Sequence, residues 1–376
     1  MLRIIQAADF HLDSALVGLP PELARARRSE MRARAAQLID YAAESGAQIA
    51  LLPGDLFDDG TQVSGATVRL LGDAFERASR VRFFIAPGNH DPLTRDSVYR
   101  AADFPKNVHI FSSREMTGVP IEELGVTVWG IGSFDAAASH RPLAGFQARG
   151  ETPLHIGVVH GNVTGSKADD YAPMTPDEIA HSGLAYLALG HVHSFGGVQT
   201  AGEVRYAYSG ALEGRGFDET GEKGFLEGTV ERGRCELRFV PFARRRYEIV
   251  PVRLCDVRTT EQAALAVREA LDSCSREDIL RVVLEGEIPG ELLLSRELIE
   301  NSLRDFYHVE LRDHTRPRAD FGALAQENSL RGLFVRQMME KLSMAADESE
   351  RALTQRALRI GLRVLEGERV TPDEID

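Results

Sequence analysis

Apolar residues in the first 90 positions alternate between short continuous runs and longer stretches with helical spacing. The runs at 2–8, 48–53 and 81–86 have the length of buried strands. Between them, 21–45 and 63–78 carry apolar side chains three and four positions apart, which predicts two amphipathic helices. Strands that alternate with helices predict an α/β fold built on a largely parallel sheet.

The pattern changes after residue 100, where strand-like runs follow one another with few helices between them. Strands are predicted at 108–111, 126–131, 154–160, 185–190 and 204–208. Residues 224–241 have the pattern of a hairpin that turns at Glu231-Arg232-Gly233. We therefore place the first predicted domain at residues 1–243.

The remaining residues predict two further parts. Residues 247–318 alternate strand, helix, strand, helix and strand, which indicates a smaller α/β domain. Residues 325–376 contain two stretches, 329–345 and 349–365, with apolar side chains at helical spacing. This last part is predicted to be a helical tail.

Composition places the chain among water-soluble globular proteins. Of its 376 residues, 43% are hydrophobic and 27% are charged, and no run approaches the eighteen apolar residues of a membrane span. Asp9 arrives before the apolar core of a signal peptide would fit, so we expect a cytoplasmic protein without a membrane partner. The three cysteines match neither a disulfide framework nor a zinc site.

The net charge of −13 narrows the classes of binding partner. A protein that holds nucleic acid through Lys and Arg alone would be basic. An enzyme that grips a phosphodiester through bound metal ions is compatible with an acidic chain, because the ions supply positive charge locally.

Polar side chains with metal-binding chemistry follow five of the predicted strands. They are Asp9 and His11, then Asp55, then Asn89 with His90 and Asp91, then His160, and finally His191 and His193. In open α/β sheets, ligands gather outside the carboxyl ends of the strands, so these side chains are expected to converge.

This set of ligands favours particular metals and a particular nuclearity. Imidazole and carboxylate together suit Mn, Fe, Zn or Ni, and the absence of thiolate argues against a structural zinc site. Seven candidate ligands exceed the needs of one ion, whereas two ions that share one carboxylate fit well. Paired ions about 3.5–4 Å apart are a known solution for phosphoester hydrolysis.

The order of these motifs resembles the calcineurin-like metallophosphoesterase superfamily. Residues 8–13, 54–58 and 208–219 are most similar to its DNA repair exonucleases of the SbcD and YhaO type. The resemblance implies a four-layer αββα sandwich, a smaller α/β capping domain and a C-terminal helical tail that serves as an ATPase-docking segment.

The resemblance also implies a role for each candidate residue. Asp9, His11 and His193 would hold the first metal ion, Asn89, His160 and His191 the second, and Asp55 would bridge the two. His90 would face the substrate and either stabilise the transition state or protonate the leaving oxygen, with Asp91 orienting the His90 ring through a hydrogen bond. A water between the ions would be the nucleophile. Asp58 is expected to support the ligands or to cap the following turn.

The activity implied is a DNA nuclease that uses two divalent ions, Mn²⁺ first among them, and removes nucleotides from DNA ends in repair, with endonuclease action left open. Its implied partners are DNA, an SbcC-like SMC-type ATPase and a second copy of the chain. Two alternatives stay open from the sequence. One is an esterase acting on a small nucleotide or another phosphoester, and the other is a non-catalytic scaffold for the ATPase.

Overall fold

Short strands and helices alternate through the first 241 residues of the protein. The structure is a computed structural model, and it describes residues 1–135, 140–164, 171–365 and 367. The elements in chain order are β1 (Leu2–Gln6), α1 (Pro21–Glu44), β2 (Ile49–Leu52), α2 (Gly65–Arg77), β3 (Arg82–Ile85), α3 (Val98–Ala101), β4 (Val108–Ile110), β5 (Thr117–Ile121), β6 (Val126–Gly130), β7 (Leu154–His160), α4 (Pro176–His181), β8 (Tyr186–Gly190), β9 (Gln199–Ala201), β10 (Val204–Tyr208), β11 (Gly224–Glu231) and β12 (Arg234–Pro241).

These strands form two six-stranded sheets. The first sheet has the order β12-β11-β1-β2-β3-β4, and the second has the order β5-β6-β7-β8-β10-β9. Strands β1 to β4 run parallel, as do β6, β7, β8 and β10. In each sheet the carboxyl ends of the parallel strands therefore lie at one edge.

Three apolar layers hold the sheets and helices together. Ile4 and Phe84 of the first sheet belong to the same buried cluster as Val128 and Ile156 of the second. Helices α1 and α2 cover the other face of the first sheet, and α4 packs on the other face of the second. The predicted α/β fold is confirmed, with its layers in the order helix, sheet, sheet, helix.

Local sequence explains most of the element boundaries. Pro20 and Pro21 open α1, where a proline costs no helical hydrogen bond, and Gly46 follows the helix with a φ of 74°. Ser64 caps α2 by accepting a hydrogen bond from the Thr67 N–H at 3.1 Å.

Strand β5 escapes the sequence analysis because its residues, TGVPI, include a glycine and a proline. It is an edge strand paired with β6 alone, and such a strand tolerates a proline.

A second group of elements follows residue 246. These are β13 (Tyr247–Arg253), α5 (Thr260–Ala270), β14 (Ile279–Glu285), β15 (Glu287–Ile288), α6 (Arg296–Asn301), β16 (His308–Asp313), β17 (Arg316–Pro317), α7 (Phe321–Ala325), α8 (Leu330–Met344) and α9 (Glu348–Leu365). Strands β13, β14 and β16 form a three-stranded sheet, and β15 pairs with β17. Val335, Leu358 and Leu362 form the small core of the final helices.

The chain divides into two compact units. The first comprises Met1–Val250, Cys274–Arg281 and Arg304–Glu310, and the second comprises Pro251–Ser273, Val282–Leu303 and Leu311–Asp376. The domain boundaries drawn from sequence stay predictions, and residues 366 and 368–376 of the predicted tail lie outside the described residues. Among the helices that the structure describes, none combines the length and apolarity that crossing a bilayer requires.

Candidate metal centre

The strand ends deliver the predicted ligands to one place. His160 is the last residue of β7, and Asp9, Asp55, Asn89 and His191 follow β1, β2, β3 and β8. The segment after β1 remains paired with the segment after β2, because the N–H of His11 donates to the Asp55 carbonyl at 2.9 Å. Because the two loops are hydrogen-bonded to each other, their backbones are held in place, and so are the positions of the Asp9, His11 and Asp55 side chains.

Asp9, His11 and His193 form the first cluster of possible metal ligands. One ligand atom from each residue lies within 4.8 Å of the others. Asp9 and His11 are fully buried, and the Nε2 atoms of His11 and His193 lie 3.2 Å apart.

The ring contacts on the far side of these two histidines indicate which nitrogen carries the proton. Nδ1 of His193 lies 2.8 Å from Oε1 of Glu219, so it holds the proton and leaves a lone pair on Nε2. Nδ1 of His11 faces Oδ1 of Asp58 at 3.4 Å, a distance at the loose end for a hydrogen bond, and has no closer partner. Two lone pairs that face each other beside the Asp9 carboxylate call for a cation, so this cluster fits a metal ion.

The second cluster has the same character. Nδ1 of His160 donates to the carbonyl of Pro53 at 2.9 Å, which turns Nε2 toward the other ligands. That Nε2 lies 2.9 Å from Oδ1 of Asn89 and 3.4 Å from Oδ2 of Asp55, and Nδ1 of His191 lies 3.2 Å from the same Asn89 oxygen. Two imidazoles, one amide oxygen and one carboxylate oxygen converge here, and this set of ligand atoms fits a second metal ion.

Two buried carboxylates join the clusters. Asp9, Asp55 and His160 offer ligand atoms within 4.8 Å of one another. Burial raises the pKa of Asp9 to about 6. Burial alone would lower the pKa of His160, but the nearby Asp55 carboxylate outweighs it and raises that pKa to about 9. Burial likewise opposes ionisation of Asp55, yet the charge of His160 holds the Asp55 pKa well below its ordinary value.

Four of the seven candidate ligands have a strained backbone. Asp9, His11, Asp55 and His191 have φ values of 53°, 43°, 51° and 105°, in the region that favours glycine. Such strain persists only where surrounding contacts enforce it, and it is concentrated at functional sites. The N–H of His191, which donates to Oδ1 of Asp9 at 3.0 Å, is one such contact.

Two glycines permit the close approach of the strand ends. A Cβ on Gly88 would lie 2.1 Å from Oδ1 of Asp55, and a Cβ on Gly190 would lie 1.8 Å from the carbonyl oxygen of Pro53. Any side chain at either position would push the loops apart.

His90 lies at the exposed rim of the clusters. Its ring centroid is 4.8 Å from that of buried His11. The ring nitrogen Nδ1 lies 3.0 Å from the main-chain oxygen of Asp58, which leaves Nε2 free for a substrate.

The expected hydrogen bond from His90 to Asp91 is wrong. The Asp91 carboxylate is fully buried and is occupied by other donors. It accepts hydrogen bonds from the N–H groups of Asp55, Leu56, Phe57 and Gly88 and from the Tyr99 hydroxyl. Asp91 thereby ties the loop after β2 to the loop after β3, and it is the main-chain carbonyl of Asp58 that orients His90.

Three charged residues lie beside the first cluster. The sequence predicted a supporting role for Asp58, but not for Arg215 or Glu219. Glu219 contacts His193, Asp58 faces His11, and Arg215 pairs with both acids. Burial opposes ionisation of Glu219, but its hydrogen bonds with His193 and Arg215 lower its pKa to about 2. The run Arg215-Gly216-Phe217-Asp218-Glu219 has no metal-ligand spacing, so only the folded chain reveals its place.

Comparisons with known proteins identify the family to which the chain belongs. Residues 2–195 match the family model described as calcineurin-like phosphoesterase. The chain is 30% identical over 305 residues to the Bacillus subtilis (strain 168) protein named uncharacterized metallophosphoesterase YhaO, covering 78% of this chain and 74% of that protein. A dimetal phosphatase from Danio rerio matches with 11% identity and a TM-score of 0.36, covering 60% of this chain and 91% of that structure. The first two matches, together with two sites where metal ligands converge, show that the chain belongs to the calcineurin-like phosphoesterase family.

Proposed function

We propose that this metal-dependent phosphoester hydrolase is a DNA nuclease that acts at DNA ends in repair. Family membership establishes the hydrolase, and the calcineurin-like fold uses a dinuclear metal centre. The single observation that carries the assignment of the site is the convergence of potential metal ligands at two adjacent positions, beside an exposed histidine.

The resemblance divides the ligands between two ions, and the short distances within each cluster support that division. Asp9, His11 and His193 would hold one ion, Asn89, His160 and His191 the other, and Asp55 would lie between them. When bound, two divalent ions such as Mn²⁺ would supply positive charge that makes water acidic and neutralises phosphoryl oxygens.

His90 has the position of a proton donor to the leaving oxygen. Its Nδ1 is held by the Asp58 carbonyl, so Nε2 faces outward and is free to take up a proton and return it. Its exposure allows contact with a phosphodiester that approaches the clusters from solvent. The neighbouring His11 is buried and does not have this access.

Two features support a DNA substrate and an ATPase partner. Residues 208–219 resemble the YhaO-type exonucleases, and the second compact unit adds structure that a small-molecule esterase does not evidently require. Helices α8 and α9 expose Leu330, Met344 and Leu353, which is the kind of apolar surface that a coiled coil of an SMC-type ATPase would cover.

One observation favours the alternative, an esterase for a small nucleotide or another phosphoester. The chain carries a net charge of −13, and the Arg215 guanidinium beside the site is already paired with Asp58 and Glu219. Among the described residues beside the site, a DNA duplex would find little unpaired positive charge, whereas a small phosphodiester needs only the metal ions.

A single assay separates these functions. The protein is stripped of metal, reloaded with Mn²⁺ and incubated separately with end-labelled duplex DNA, single-stranded DNA and bis-nitrophenyl phosphate. His90→Ala is the test variant, and His181→Ala, at an exposed histidine in α4, is the matched control. We expect shortened DNA from the wild type and the control, and loss of turnover with metal retained in His90→Ala.

Other outcomes would overturn parts of the proposal. Cleavage of the small diester alone, with the native ATPase present, would favour the small-substrate esterase. No cleavage of either substrate with two ions bound would favour a scaffold. Failure to recover any ATPase in a pull-down from the native cell would remove the proposed partner.

A further inference from the structure

Asp58, Arg215 and Glu219 form a charged clamp behind the first cluster. Arg215 donates from Nη1 to Oδ1 of Asp58 at 2.9 Å and from Nη2 to Oε1 of Glu219 at 2.8 Å. The main-chain N–H of Arg215 donates to the other oxygen of Glu219 at 3.0 Å. Glu219 is therefore fixed at both of its oxygens.

Each end of the clamp faces one imidazole of the cluster. Oε1 of Glu219 lies 2.8 Å from Nδ1 of His193, and Oδ1 of Asp58 lies 3.4 Å from Nδ1 of His11. A carboxylate at Nδ1 holds the proton there and turns the lone pair of Nε2 toward the position between the two rings. The contact to His193 is the closer one, so Glu219 exerts the stronger control.

Arg215 keeps these carboxylates in a supporting role. Asp58 and Glu219 are 27% and 5% exposed at their side chains, and both lie close to a centre that attracts anions. Pairing with the guanidinium neutralises them and anchors them away from the ligand positions. Without Arg215, each carboxylate would be free to turn toward the metal position.

His160 of the second cluster is held in a different way. The Nδ1 of His160 donates to the main-chain carbonyl of Pro53, which no side-chain substitution removes. The orientation of His160 is therefore independent of Arg215 and Glu219. The two metal positions differ in how their histidines are held.

We propose that Glu219 and Arg215 are positioning residues that set the affinity of the metal position formed by Asp9, His11 and His193, and of that position alone. This inference rests on the proposed dinuclear centre. It assigns the segment Arg215 to Glu219 a function that the hydrolytic activity by itself does not specify.

The test measures how many Mn²⁺ ions the full-length protein binds and with what affinity. Glu219→Ala, Glu219→Gln and the wild type are stripped of metal, titrated with Mn²⁺ by calorimetry and examined by electron paramagnetic resonance. Glu236→Ala, which removes an exposed glutamate paired with Arg234, is the matched control.

We expect two ions in the wild type and in the control, with the spectrum of a spin-coupled pair. Loss of an orienting partner lowers metal affinity by about 10–100-fold, so Glu219→Ala should lose one ion at intermediate Mn²⁺ and show the spectrum of isolated Mn²⁺. Glu219→Gln should stay within a few-fold of the wild type, because its amide oxygen still accepts the proton of Nδ1.

The outcomes separate this inference from the proposed function. A wild type that binds fewer than two ions would refute the dinuclear centre itself. Two ions with unchanged affinity in Glu219→Ala, or loss of both ions together, would refute selective positioning. If Glu219→Ala does not fold, Arg215→Gln takes its place, and the same single-site weakening is expected, while unchanged binding would refute the clamp.

Discussion

Asp91 offers the sharpest test of how the site is built, because a buried carboxylate replaces the expected contact with His90. Its two oxygens accept five hydrogen bonds and are fully buried. Replacing Asp91 with Ala would leave all five donors without this partner. We expect the free energy of unfolding to fall sharply in Asp91→Ala.

The size of the effect follows from the shortest contacts. The N–H groups of Leu56 and Gly88 lie 2.7 Å from the carboxylate and the Tyr99 hydroxyl lies 2.6 Å from it. A hydrogen bond to a charged group contributes about 1.5–3 kcal/mol to the free energy of unfolding. The sum for these three hydrogen bonds is the loss expected before the cost of burying the carboxylate is considered. Burying the carboxylate costs several kcal/mol in return, so the net loss should be about 3–5 kcal/mol.

Two milder variants divide this loss. Asp91→Asn keeps one acceptor oxygen but turns an NH₂ group toward N–H donors, and should cost about 2–4 kcal/mol. Tyr99→Phe removes only the hydroxyl and should cost about 1.5 kcal/mol. Urea unfolding of the metal-free protein, followed by circular dichroism, measures all three variants.

The refuting result is specific. If Asp91→Ala costs less than Tyr99→Phe, the carboxylate is not the anchor of the two loops. If instead Asp91→Ala leaves stability intact and shifts only the pH dependence of turnover, Asp91 acts on His90 in solution and the original expectation from sequence is restored.

Three further predictions concern the same domain. Gly88→Ala should abolish binding of metal at the Asp55 carboxylate, because the new Cβ would lie 2.1 Å from Oδ1 of Asp55. The control is Gly72→Ala in α2, where a Cβ has open space. A calorimetric Mn²⁺ titration should show unchanged binding in this control, and a thermal melt should show unchanged or slightly higher stability. The folded-state pKa of His160 is raised to about 9, so protonation of His160 stabilises the metal-free protein. This stabilisation is complete below pH 6.5 and is lost as pH rises toward 9. The melting temperature should therefore fall across that pH range. Arg27→Ala should cost about 3–5 kcal/mol in urea unfolding, because buried Glu213 loses the positive charge of the guanidinium, 2.9 Å away, and keeps only its hydrogen bond from the Arg244 N–H.

Each of these has a control or a contrary outcome. Full Mn²⁺ affinity in Gly88→Ala would mean that the loops adjust without loss. A melting temperature that does not fall between pH 6.5 and 9 would place the His160 proton elsewhere, and His160→Asn should lack the pH effect. Arg25, whose side chain is 72% exposed, is the matched control for Arg27, and its alanine variant should stay within about 0.5 kcal/mol.

The strand ends were predictable because parallel strands impose a shared edge. Apolar runs identified β1, β2, β3, β7 and β8, and the residues that follow them had to lie together once the sheet was inferred. The left-handed backbone at Asp9 and Asp55 was not visible in the sequence, since neither residue is glycine. Only the cross-loop hydrogen bonds enforce that conformation.

Partners of charged side chains were the least predictable part. The resemblance to the family implied that Asp91 orients its neighbour His90, and the sequence shows no other contact of Asp91 against which to check that role. In the fold, Asp91 turns inward to main-chain donors 34 to 36 residues away. Hydrogen-bond donors at that separation become neighbours only through the packing of two loops.

The sequence alone was enough to predict the α/β alternation, the metal-binding residue types and their order along the chain. These follow from side-chain chemistry and from periodicity, which are local properties. The tertiary structure decided which nitrogen of each imidazole faces the metal position, which acid supports His193, and that Arg215 is held between two carboxylates. Those contacts join residues up to 157 positions apart, and their geometry exists only after both sheets have packed.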